Sequence, residues 1–168
     1  MIINSTSLIH AEPIKDMIVI KERLNGVSHG LAEAGYDIRL KQDIAFMPGP
    51  DGSTPSIKIG KKWIRGRFTL ASTIEEFNMP QDLVAIVHDK STWARKGISV
   101  FNTVIEPGWK GFLTLEMVFH GSDPIDIPAG SGIAQVIFHS LVHKAEYSGK
   151  YQNQEDKPIP AIFEKNNE

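Results

Sequence analysis

Cysteine is absent from the 168 residues. That excludes disulfides, thiolate catalysis and cysteine-bound zinc together, and it fits a cytoplasmic location. No apolar run approaches the roughly 20 residues that cross a bilayer, so no membrane partner is expected. The first residues, MIINSTSLIHAEPIKD, show no basic segment followed by an apolar core, so they are not read as a secretory signal. Charge of one sign is missing too. Eighteen basic residues stand against 20 acidic ones, a net charge of −2. Such a balance argues against a diffuse polyanion-binding surface and against nucleic acid as a partner, while a local basic cluster can still hold a small anion.

Long helical patterns are also lacking. Short strand-like runs recur instead: DMIVI (16–20), YDIRL (36–40), RFTLA (67–71), LVAIVH (83–88), ISVFNTV (98–104), FLTLEMVF (112–119) and AQVIFHSL (134–141). Dense turn signals separate them, among them PGPDG (48–52), EPGWKG (106–111), HGSDP (120–124) and PAGSG (128–132). Short strands at close spacing predict an antiparallel sandwich or barrel rather than βαβ units. Two short helices are expected, one over 5–12 capped by Ser5 or Ser7, the other over 91–97. The length suits one domain with a proper core, here residues 1–155. The remaining tail, 156–168, is polar and Pro-containing and is expected to be partly ordered over the functional site, and GKYQNQ before it concentrates an amine, a phenol and three amides that can fold over a ligand.

One carboxylate interrupts the strand FLTLEMVF. Alternation puts Leu113, Leu115, Met117 and Phe119 on a core face and Phe112, Thr114, Glu116 and Val118 on the other. Glu116 either points at solvent or, with a cation and a hydroxyl beside it, serves as a base. A source for both is KSTWARKG (90–97), where Lys90, Arg95 and Lys96 bracket Ser91 and Thr92 at a strand-to-helix turn. Backbone N–H groups, hydroxyls and a guanidinium make a phosphate cradle; the plainer reading is a capped, charged surface turn.

In order, KSTWARKG, VIEPGWKGFLTLE and GIAQVIF resemble the deoxycytidine triphosphate deaminases and their relatives, the trimeric deoxyuridine triphosphate pyrophosphatases. AGYDIRL (34–40), LASTIEEFNMPQDLVAIVHDK (70–90) and SGKYQNQ (148–154) extend the resemblance. It implies an all-β fold, a distorted jelly roll or β-barrel with one or two short helices, assembled as a homotrimer with sites at subunit boundaries. It implies hydrolysis of dCTP to dUTP and ammonia, with Glu116 as base and Ser91 and Arg95 completing the catalytic set. Lys90, Ser91, Thr92 and Arg95 would hold the triphosphate, with Lys90 in place of the more usual Arg and Thr92 in place of Ser. Glu106 would meet the deoxyribose. Thr114, Leu115, Gln135, Tyr147, Lys150, Tyr151 and Gln154 would supply further substrate contacts. Mg²⁺ would arrive only on the triphosphate, and dTTP is a possible feedback ligand.

The stretch RKGISVFNTVIE is about two residues shorter than the deaminase pattern, and it makes FNTVIEPGW resemble the uridine pyrophosphatases. The base preference therefore stays open. A dUTP pyrophosphatase, or an enzyme doing both reactions, would use Glu106 and Mg²⁺ against the α-phosphate. The absence of a Gly-rich C-terminal arm and the acid at 116 count against a pure pyrophosphatase. A zinc deaminase needs a Pro-Cys-x-x-Cys partner for the His-x-Glu of HAEP (10–13), and there is no Cys. His10 reads as a surface or capping residue, and His29, His88, His120, His139 and His143 as structural ones. A non-enzymatic jelly-roll module would leave the ordered motifs unexplained.

Overall fold

β-branched and aliphatic residues in short alternating runs, cut by Gly, Pro and Asn, fold almost entirely as strands. The computed structural model describes residues 1–101 and 103–164. Asn102, inside the shortened stretch, and 165–168 of the tail lie outside the described residues. In chain order the elements are β1 (Ile2–Ile3), α1 (Ser5–Ala11), β2 (Lys21–Leu24), β3 (Val27–Leu31), β4 (Tyr36–Arg39), β5 (Ile44–Met47), a 3-10 turn (Pro50–Gly52), β6 (Ser56–Ile59), β7 (Lys62–Arg65), β8 (Phe68–Asn78), β9 (Leu83–Asp89), α2 (Ser91–Ala94), β10 (Ile98–Val100), β11 (Val104–Ile105), β12 (Lys110–Phe119), β13 (Ile125–Ile127) and β14 (Gly132–Ser140).

Among the described residues every pairing between named strands is antiparallel. Three sheets result. A 7-stranded sheet runs β11-β9-β14-β4-β3-β2 with β1 also on β14; a 3-stranded sheet runs β10-β12-β8; a 4-stranded sheet runs β13-β5-β6-β7. Asn25 and Gly26 close the β2–β3 hairpin with φ of 53° and 77°, the two positive values a primed two-residue turn needs. Between the sheets lie Tyr36, Phe46, Phe77, Phe119 and Phe138, all fully buried, and the stacked Phe46 and Phe119 rings, 5.5 Å apart, join two of the sheets.

Three readings of the sequence need correction. DMIVI (16–20) is not a strand. It is a connecting segment in which the Ile18 carbonyl accepts from the Leu31 N–H and the Ile18 N–H donates to the Tyr36 hydroxyl, while strand geometry begins at Lys21. ISVFNTV is not one strand but two. β10 pairs with β12 and β11 with β9, so the chain changes sheet within the run. Neither Ser5 nor Ser7 caps α1: Asn4 holds the N-cap position and its side chain donates instead to the Glu33 carbonyl at 2.8 Å.

Candidate active site

β12 and β8 pair along most of their length, with the register shifting between Phe112 and Thr114. At this bulge the Leu113 N–H donates to the Thr73 hydroxyl at 3.1 Å instead of to the neighbouring backbone. Beyond it Thr114 and Glu116 face a cavity of about 450 Å³ together with Phe68 and Leu70 of β8. The β11 end and the turn after it, Thr103 to Glu106 with Trp109, form a second wall. A third comes from the tail: Tyr147, Tyr151, Gln154, Ile159 and Ala161. Volumes in this range suit ligands of nucleotide size.

The tail is fastened to the start of β12. Trp109 Nε1 donates to the Tyr151 carbonyl at 2.6 Å, and the Lys110 N–H donates to Gln152 Oε1 at 2.8 Å. Gln152 Nε2 in turn donates to the carbonyls of Gly108 and Tyr147. The Phe112 N–H donates to the Gln154 carbonyl at 3.1 Å, and Thr114 Oγ1 both donates to Gln154 Oε1 and accepts from the Ile159 N–H. Only glycine permits this docking. A Cβ on Gly111, whose φ is 127°, would stand 2.5 Å from the Gln154 nitrogen.

Within the cavity Glu116 is half-buried, and its Oε2 is buried with no hydrogen-bond partner among the described residues. Burial pushes its carboxyl above the ordinary carboxylate range, and a hydrogen bond from backbone opposes this only in part. Among the described residues the walls contain no Lys, Arg or His. A carboxylate held in this way has one oxygen without a partner among the described residues and a raised affinity for a proton. Glu106 lies exposed at the rim, its carbonyl accepting from the Trp109 N–H at 3.1 Å across the EPGW turn.

The residues expected to bind a triphosphate gather elsewhere on the chain. Ser91 and Thr92 are exposed on the short α2, and Arg95 is exposed at its C-cap. Two contacts hold that turn to the large sheet: Trp93 Nε1 donates to the Gly132 carbonyl at 2.7 Å, and Lys90 Nζ pairs with Asp37 at 2.5 Å. Lys90 is therefore nearly buried and its charge already matched. Gln135 sits directly across from Asp37 in the β14–β4 register, beside this pair. Neither this group nor Lys150 lines the cavity; Lys150 is exposed, with its amine 5.4 Å from the Tyr151 ring centre. Leu115 is fully buried in the core, so its side chain is not available to a ligand.

Several cavity residues carry no sequence signal. Phe68, Leu70, Val104 and Leu113 read as ordinary strand apolars, and within a tail expected to lie partly over the site nothing singles out Ile159 or Ala161. Gln152, inside GKYQNQ, is a further tail anchor that the resemblance does not assign. His29 is buried with Nε2 3.2 Å from Glu22, and among the described residues no three or more His, Asp or Glu group as a metal site.

A dCTP deaminase-like family model matches residues 5–141. The chain belongs to that family. A dCTP deaminase of Campylobacter hominis is 38% identical over 155 residues, 82% of each chain. One of Anaplasma phagocytophilum is 32% identical over 163 residues, 84% of this chain and 86% of its own. Among solved structures, the 2′-deoxycytidine 5′-triphosphate deaminase of Agrobacterium tumefaciens superposes with a TM-score of 0.56 at 19% identity, covering 83% of this chain and 48% of that one. Native EIAV dUTPase gives 0.51 at 19% identity over 80% of this chain and 93% of its own. The mostly-β fold is thus that of dUTPases and dCTP deaminases.

Proposed function

We propose that the protein hydrolyses dCTP to dUTP and ammonia, with Glu116 as the general base. The observation that carries this reading is the unpartnered, buried Oε2 of Glu116 inside a cavity of nucleotide size. Water held between Glu116, the Ser91 hydroxyl and a backbone carbonyl attacks C4 of the cytosine. Glu116 takes one proton from that water and delivers it to the ring nitrogen N3, where it stays; it then carries the remaining hydroxyl proton of the adduct to the amine as C4=O forms and the C4–N bond breaks, so one water enters and one ammonia departs. Aligned general-base catalysis supplies roughly 10²–10⁴-fold, and positioning with stabilisation of the tetrahedral adduct supplies the rest. The tail residues Tyr147, Tyr151 and Gln154, with Thr114 and Glu106, enclose the base and sugar.

A developing charge at C4 needs a cation, and among the described residues the cavity walls of one chain contain none. The proposal therefore assigns Ser91, Thr92 and Arg95, with Gln135, to the cavity of a neighbouring subunit in a closed homotrimer. With Lys90 matched by Asp37, triphosphate contact falls to Arg95, the two hydroxyls and the helix-start N–H groups, and Lys90 fixes the loop. Mg²⁺ enters bound to the triphosphate, dTTP is a candidate feedback ligand and the setting is cytoplasmic. The reacting carbon is given no metal, since zinc deaminases use cysteine ligands and the sequence has none.

A second reading follows from Glu106 at the rim: after or instead of deamination, this acid and Mg²⁺ cleave the triphosphate to dUMP and pyrophosphate. Incubation with dCTP and with dUTP separates the two by ammonia and pyrophosphate release. Glu116→Gln is expected to abolish ammonia release while nucleotide affinity stays close to normal. Mixing Glu116→Gln with Arg95→Ala subunits should restore part of the activity, because some mixed boundaries then carry both intact groups. Normal turnover by the Glu116 variant would remove the mechanism; mixtures as dead as their parents would remove the shared site.

A further inference from the structure

The five basic residues Lys58, Lys61, Lys62, Arg65 and Arg67 fall within ten positions, and no acid lies between Asp51 and Glu75. A net charge near zero averages over this clustering. β6 and β7 form the ribbon that carries it, at the edge of the 4-stranded sheet. Its inner face is mostly apolar: Ile57 is fully buried and pairs with the partly buried Ile64, and Lys62, opposite Ile59 at the strand end, is the polar exception. Its outer face is the opposite. Lys58 lies directly across from Trp63, and Arg65 follows on the same face two residues on. All three are exposed, Trp63 to 56%, and none of the five cations enters an ion pair among the described residues.

Lysines on an edge strand commonly guard against edge-to-edge pairing. That accounts for charge on β7 but not for a large indole turned to water in the middle of it. An aromatic face beside unpaired cations is the arrangement on which single-stranded nucleic acids bind: the bases stack and the cations follow the phosphates. A lipid surface would call for several apolar side chains on this face, where Trp63 stands alone. An acidic polypeptide would satisfy the cations and leave the indole face unused.

We propose that the outer face of the β6–β7 ribbon binds single-stranded nucleic acid, with Trp63 stacking on a base and Lys58, Arg65 and Lys61 of the turn meeting phosphates. None of residues 56–65 lines the cavity, so this site is separate from the deamination centre. The test uses the full-length protein and a fluorescein-labelled oligothymidylate, followed by anisotropy from low to physiological salt. Three phosphate contacts give a slope of log K against log salt of about −2. Trp63→Ala is expected to weaken binding roughly tenfold, and Lys58→Glu with Arg65→Glu to remove it, with thermal midpoint and dCTP turnover near those of the unaltered protein. Because Trp93 and Trp109 are 9% and 5% exposed, quenching of the exposed indole reports directly on Trp63.

Failure to bind the oligonucleotide at low salt overturns the proposal, as does binding that neither variant alters. Equal binding of polyglutamate would reassign the ribbon to an acidic protein partner. Displacement of the strand by an equal concentration of free dTTP would reduce it to a mononucleotide subsite. Strand binding is measured without turnover, so its outcome is independent of the outcome for deamination.

Discussion

Replacing Gly111 by alanine should release the tail from the cavity while leaving the barrel intact. The added methyl would stand 2.5 Å from the Gln154 nitrogen and 2.6 Å from its carbonyl oxygen, both backbone atoms that can move only if the segment moves. Restoring ordinary contact requires a shift of about 1 Å, enough to break two hydrogen bonds at about 1 kcal/mol each. These are the one from the Phe112 N–H to the Gln154 carbonyl and the one from Thr114 to the Gln154 side chain. An L-residue at a φ of 127° adds strain of about 1 kcal/mol. The total, about 3 kcal/mol, lowers the population of docked tail relative to free tail by roughly 100-fold. The assay is limited trypsin digestion at Lys150, read beside hydrogen exchange at Phe112 and Ile159. Faster cleavage, faster exchange and a raised KM are expected, with a thermal midpoint close to that of the unaltered protein. Cleavage and exchange at the original rates would refute the claim that these contacts hold the tail.

Glu116 links activity and stability to pH in opposite directions. Its carboxyl is raised by burial, so ionisation, and with it kcat/KM, should develop at a pH above the ordinary carboxylate range. For stability, the folded protein holds the Glu116 proton to a higher pH than the unfolded chain does. Its contribution is full below the unfolded pKa and is lost as pH rises through the folded one; urea titrations with and without Glu116→Gln should differ in that window and in that direction. The Lys90–Asp37 pair is buried at 11% and 4% side-chain exposure. Asp37→Asn leaves the ammonium without its counter-charge and should cost about 3 kcal/mol by chemical denaturation; a loss below about 0.5 kcal/mol would refute a structural role for the pair.

Strand identity was readable wherever one face of a run is apolar and the other polar, or where the whole run is apolar, as in LVAIVH and AQVIFHSL. It was unreadable where the determining partner is distant. DMIVI has the composition of a strand, but hydrogen bonds from Leu31 and to Tyr36 hold it as a connector. The break inside ISVFNTV depends on β9 and β12 lying in different sheets. At the site, the alternation of β12 placed Glu116 and Thr114 on one face, and they share the cavity. Side-chain types alone cannot show that Lys90 spends its charge on Asp37, more than fifty positions away in the chain.

The sequence by itself determined the β character, the turn positions, the exclusion of cysteine chemistry and the strand that carries the acid. These follow from short-range rules: two-residue alternation, glycine and proline geometry, and the presence or absence of an atom type. Tertiary structure alone decided the depth at which Glu116 sits, the closing of the cavity by the tail and the separation of the Arg95 loop from that cavity within one chain. Each of these depends on surfaces brought together from distant positions, because burial and hydrogen-bond satisfaction are properties of the packed whole.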